Sequence, residues 1–142
     1  MLERGANQRW TLYPPTDPYA DGYVAHVRTE LRDDGLCAET TVTIGGPAMS
    51  SDEDLVAFLA GLADEWRGWP GSRRWRALEH QMSLAAAHDG RGHVSLEVTL
   101  RRQRRPYAED AWSARSVVIV EAGEEMTALA RDVKSLFAQP TE

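Results

Sequence analysis

The chain lacks the residues and runs that would place it in several large classes. It has one cysteine, Cys37, so no internal disulfide can staple it and its thiol content does not point to an oxidising compartment. No window approaches the roughly eighteen consecutive apolar residues a spanning helix needs. The opening Met1-Leu2-Glu3-Arg4-Gly5-Ala6-Asn7 has no apolar stretch of the kind a secretory signal carries. No membrane contact is therefore expected, and the cytoplasm is the expected location. Positive charge is also short: 16 Lys and Arg against 22 Asp and Glu leave a net charge of −6. That argues against a general nucleic-acid binder, because phosphate contacts need a basic surface. The sequence has no G-x-S-x-G elbow, no phosphate-binding glycine loop and no H-E-x-x-H helix. No catalytic residue and no cofactor is assigned on this reading.

What is present reads as an ordinary folded domain. Hydrophobic residues at 42% and charged residues at 27% are globular proportions rather than those of a disordered chain. A single domain over residues 1–142 is expected, with residues 1–9 a flexible N-terminal tail. A chain of this size buries roughly 68–70% of its unfolded surface, so one core suffices without a metal.

Alternation then locates the strands. Trp10 to Tyr13 is a short edge strand, followed by a loop that Pro14, Pro15, Pro18 and Gly22 enforce. Between Tyr23 and Arg32 the residues Ala25, Val27, Thr29 and Leu31 share one side. Between Leu36 and Ile44 the residues Leu36, Ala38, Thr40, Val42 and Ile44 do the same. Asp33-Asp34-Gly35 turns the chain between them. Matching the apolar faces sets Leu31 opposite Leu36, Arg28 opposite Glu39 and Glu30 opposite Cys37. Ser50 with Glu53 reads as a capping box for a helix whose apolar face is Leu55, Phe58, Leu59, Leu62 and Trp66, stopped by Gly68. Leu78 to Ala87 and Val94 to Leu100 form a second hairpin around Asp89-Gly90-Arg91-Gly92. Ala111 to Glu121 follows as another strand, apolar on both sides near Val117 to Val120, which predicts a central or covered position. Pairing Leu100 with Trp112 would set Glu97 opposite Arg115. A final helix opens at Glu124 and buries Met126, Leu129, Ala130, Val133 and Leu136. The order β-β-α-β-β-β-α predicts an α+β fold: an antiparallel sheet of five to six strands with two helices packed on one face. The opposite face would present His26, Arg28, Glu39, Thr41, Ser95, Glu97, Thr99 and Arg115 to water.

Three of the five tryptophans fall between Trp66 and Trp75, interleaved with arginines. Trp and Arg are enriched at binding hot spots, and loops on a rigid scaffold commonly carry binding. Trp69, Arg73 and Trp75, together with Asp89 and Arg91 at the hairpin tip, are therefore the candidate binding residues. Trp66, on the helix's apolar face, is expected in the core; Trp69 is either an exposed anchor or part of a satellite core. His88, Asp89 and His93 invite a metal reading, but strand alternation turns His88 inward and His93 outward, so no metal site is assigned. Cys37 faces outward without an electropositive setting. The cluster Arg101, Arg102, Arg104 and Arg105 reads as a solvated loop at a strand end, with a local anion contact as the alternative.

The run W-R-G-W-P-G-S-R-R-W-R-A-L-E (Trp66 to Glu79), then H-D-G-R-G-H-V (His88 to Val94) and V-E-A-G-E-E (Val120 to Glu125), resembles a family of small bacterial proteins that carry a domain of unknown function. The likeness covers about Tyr23 to Phe137. Through Gly92-His93-Val94 and the order of elements, the chain is also similar to the WapI-type immunity proteins, which neutralise a bacterial toxin. That resemblance implies a non-enzymatic binding protein docking onto a protein partner, for which a basic toxin would suit the acidic charge. The alternative is a small-molecule binder or enzyme with its pocket near the Trp-rich turn.

Overall fold

A computed structural model of the chain describes residues 8–16, 24–45, 54–102 and 112–137. The elements are β1 (Arg9–Leu12), β2 (Val24–Asp33), β3 (Leu36–Gly45), α1 (Leu55–Asp64), β4 (Ser72–Arg76), β5 (Met82–His88), β6 (His93–Arg101), β7 (Ser113–Glu121) and α2 (Glu124–Phe137). The α+β class expected from the sequence holds, but the strands form two antiparallel sheets rather than one. One sheet has the order β1-β2-β3 and the other β4-β5-β6-β7. The chain leaves the first sheet at Gly45 and starts the second at Ser72.

Each sheet turns one face inward. Val27, Thr29, Leu31, Ala38, Thr40, Val42 and Ile44 are buried from the first sheet. Met82, Leu84, Ala86, Val94, Leu96, Val98, Leu100, Val118 and Val120 are buried from the second. Leu55, Leu59 and Leu62 of α1 and Met126, Leu129, Ala130, Val133 and Leu136 of α2 join the same cluster. The two helices pack on each other, β2 approaches β7, and β3 approaches β6. Polar groups trapped in this core are paired: the Trp10 Nε1–H donates to Thr29 Oγ1 at 3.1 Å, and the Thr29 hydroxyl donates to the Thr11 carbonyl at 3.0 Å. Among the described residues, hydrogen bonds join the sheets at two places. The Ser116 hydroxyl donates to Asp33 Oδ2 at 2.6 Å. The Leu78 N–H donates to the Thr43 carbonyl at 3.1 Å, beside a 3.4 Å bond from the Thr43 N–H to the buried Gln81 amide oxygen. Ser116, and then the Asp34 N–H, hold the Asp33 carboxyl below the usual carboxylate range.

The β2–β3 and β6–β7 registers each differ from the sequence expectation by two residues, and in the same direction. Asp33, not Leu31, lies opposite Leu36, so the loop is Asp34-Gly35 alone, with Gly35 at φ 74. Leu100 lies opposite Ala114, and Glu97 opposite Val117. An even shift leaves every side chain on its expected face. The expected ion pairs therefore form diagonally, Arg28 to Glu39 at 3.4 Å and Arg115 to Glu97 at 3.8 Å. The new register puts Arg32, not Glu30, opposite Cys37, and that arginine is itself tied to Glu30.

Four further expectations are corrected. Arg9 is the first residue of β1 rather than part of a tail. Ser72–Arg76, expected as loop, is a strand pairing with β5. The β7 strand is at a sheet edge rather than central, and its Val117 and Ile119 are 38% and 48% exposed. Helix α1 is capped by Asp54, whose side chain accepts the Val56 N–H at 2.9 Å; Ser50 and Glu53 lie outside the described residues.

Candidate functional site

Helix α1 ends one turn earlier than its hydrophobic periodicity implies. Glu65 leaves helical geometry, its N–H bonding back to Gly61, and the Gly68 N–H then bonds to the Glu65 carbonyl at 2.9 Å. This removes Trp66 from the helix face on which the sequence places it. Its ring is 52% exposed. Gly68 follows at φ 122, where its Cα hydrogens face the His88 ring; an added Cβ would sit 3.1 Å from His88 Nδ1.

Trp69 turns the other way. It is buried, its Nε1–H donates to the Ala86 carbonyl at 3.2 Å, and its ring meets His88 edge-on at 5.5 Å. Trp75 is buried opposite Leu84. These two candidate residues are therefore packing for the turn, not a free surface. Arg73 is half-buried, with its guanidinium 5.1 Å from the Trp69 ring centre and ion-paired to Glu65. Arg67 lies 5.0 Å over the Trp66 ring, so the exposed tryptophan carries a cation on one face.

His88 joins this turn to the second hairpin tip. Its Nδ1 accepts the Gly90 N–H at 2.9 Å, which leaves Nε2 to carry the proton and donate to the Trp66 carbonyl, also at 2.9 Å. Both ring nitrogens are thus engaged by the protein backbone. The tip itself is organised by Asp89. Its Oδ1 accepts the N–H groups of Arg91 at 2.6 Å and His93 at 3.1 Å, and Oδ2 lies 3.2 Å from His93 Nδ1. The Arg91 N–H first, and then the His93 N–H, lower the Asp89 carboxyl below its ordinary range. Asp89 and Arg91 are exposed, as the candidate surface requires.

Residues 64–70 and Arg73 line a concavity of about 560 Å³ that opens to solvent. Its chemistry is an indole face, two guanidinium groups and the carboxylates of Asp64 and Glu65. Such a surface stacks and pairs charges; it carries no paired nucleophile and base. Of the sequence candidates, the fold brings Trp69 and Arg73 to this concavity, with Asp89 and Arg91 on the adjoining tip. Sequence reasoning missed Trp66 and the bridging role of His88. The Gly68-Trp69-Pro70-Gly71 break two residues past Trp66 was the available signal that the helix would stop early. Arg101 and Arg102 lie elsewhere, at the end of β6, where the Arg101 guanidinium donates to Ser83 Oγ at 3.4 Å. Arg104 and Arg105 lie outside the described residues.

The sequence matches a family of unknown function (DUF6228) over residues 3–140. No curated protein and no solved structure matches it.

Proposed function

We propose that this chain, which belongs to that family of unknown function, is a non-enzymatic binding protein of the immunity type that docks onto a protein partner. The docking surface is the Trp66–Arg67 turn together with the Asp89–Gly92 tip. One observation carries the reading: a tryptophan 52% exposed, on a turn that His88 and the buried Trp69 tie to the second sheet. A pre-ordered aromatic anchor loses little entropy on binding, which is why Trp and Arg dominate hot spots. The net charge of −6 favours a basic partner such as a toxin nuclease, because complementary charge speeds encounter.

A second reading has a specific observation behind it. The concavity of about 560 Å³ is within the range of ligand pockets. An anionic aromatic molecule could stack on Trp66 between Arg67 and Arg73. The open mouth weighs against this reading, since ligand sites enclose most of the molecule they hold.

The test is Trp66→Ala. Its melting temperature should match the wild type, because little area is lost from the core. A partner captured from the native host with the wild-type chain should bind the variant more weakly by about 2 kcal/mol or more in calorimetric titration. Equal affinity for both proteins would overturn the reading.

A further inference from the structure

The four sheet edges are unequal. The β1 edge is short and runs into Pro14-Pro15. The β3 edge is tied to the Leu78–Gln81 segment through Thr43. The β4 edge turns Arg74 and Arg76 outward, so a second copy laid antiparallel there would bring like charges together. Among the described residues the β7 edge has none of these protections, and it shows exposed Val117 and Ile119.

Hydrogen bonds at both ends of the β6–β7 ladder fix which way the β7 backbone points. The Ala122 N–H donates to the Gly92 carbonyl at 2.8 Å, and the Arg102 N–H donates to the Trp112 carbonyl at 3.2 Å. Both bonds continue the ladder register, so even-numbered positions of β7 direct their backbone groups toward β6. The odd positions Arg115, Val117, Ile119 and Glu121 must then direct N–H and C=O outward. Among the described residues these groups have no backbone partner. The same four side chains are all exposed.

We propose that β7 pairs with β7 of a second copy of this chain, antiparallel, about a two-fold axis at Val118. In that register Arg115 faces the partner's Glu121, and Val117 faces the partner's Ile119. The two-fold repeats both pairs in reverse. Each pair joins positions whose backbone groups already point outward, so each exchanges hydrogen bonds in both directions. Moving the axis by one residue, to Val117 or to Ile119, sets a charged side chain against a branched aliphatic one. The Val118 register is the one of these three that matches charge to charge and apolar to apolar. It joins two four-stranded sheets into one continuous sheet. Arg115 holds Glu97 only at 3.8 Å, and Glu121 spends one oxygen on the Gly123 N–H, so both retain capacity for the partner.

The experiment is sedimentation velocity on the full chain across a wide concentration range, with charge swaps. Wild type should show a reversible monomer–dimer equilibrium that weakens with salt. Arg115→Glu and Glu121→Arg each place like charges opposite one another twice per dimer. Each should weaken dimerisation by roughly tenfold or more while leaving the melting temperature of the monomer near wild type. The double variant R115E/E121R restores the pairing with reversed polarity and should recover the dimer. A wild type that stays monomeric at every concentration overturns the proposal. So do single variants that dimerise like wild type, or a double variant that fails to recover while still folded.

Discussion

The turn after α1 and the tip of the β5–β6 hairpin touch through His88, yet they are held by opposite means. The turn is fixed by burial: Trp69 and Trp75 go into the core, and the exposed Trp66 follows from where they sit. The tip is fixed by hydrogen bonds to one exposed carboxylate, Asp89, with no buried side chain between His88 and Val94. A loop anchored by packing takes its shape from distant residues, and a loop anchored by its own side chain takes it from the next few. The first should fail together with the domain, the second by itself.

Replacing Trp69 should break this contrast most strongly. Trp69→Ala removes a buried ring and its Nε1–H bond to the Ala86 carbonyl, so a loss of about 3–5 kcal/mol is expected in urea denaturation. A loss under about half a kcal/mol would mean that the turn does not depend on its packing. Gly68→Ala comes next. Its φ of 122 and the 3.1 Å approach to His88 predict a loss of about 1–3 kcal/mol. Amide exchange should speed up at both turn and tip, because His88 is displaced from between them. Exchange confined to the turn would show that the two loops are uncoupled.

The smallest effect belongs to Asp89. Its carboxyl is held low by backbone N–H groups, so its contribution to stability is complete above the unfolded value of about 3.9. That contribution is lost as pH falls through the lower folded value. Asp89→Asn keeps an oxygen for the two N–H groups but cannot titrate. Its melting temperature should therefore decline less steeply than wild type on the acid side, while Asp33, shifted in the same direction, keeps part of the slope in both proteins. Identical acid limbs would show that the tip does not respond to this charge.

The same contrast explains what could be read from the sequence. Asp89-Gly90-Arg91-Gly92 declares a turn through local chemistry, and it lies where the pattern placed it. Strand faces were legible because alternation is local: Val94, Leu96, Val98 and Leu100 are all buried, as are the five α2 residues expected. Register was not legible to better than two residues, since a shift of two costs the alternation pattern nothing. The β4 strand was hidden by its sequence, Ser-Arg-Arg-Trp-Arg, which has a single apolar residue turned inward. The division into two sheets has no local signal either. The contacts that hold the two together, Thr43 with Leu78 and Asp33 with Ser116, lie in no single window of the sequence. For the candidate site, Trp69, Arg73, Asp89 and Arg91 were in view, whereas Trp66 was counted as core because periodicity does not report where a helix frays.

The bond between Ser116 and Asp33 spans 83 positions of the chain. Every strand pair on either side of it is between consecutive strands, so each sheet can zip from its own turns, and an isolated hairpin closes in about 1–10 µs. Bringing Ser116 to Asp33 closes a far longer loop, whose entropy is offset only after both sheets have a face to offer. The joint is thus expected to close late in assembly. Until it closes, the half-made sheets hold their apolar faces open to solvent, and that interval is when the nascent chain is most exposed to association with its neighbours.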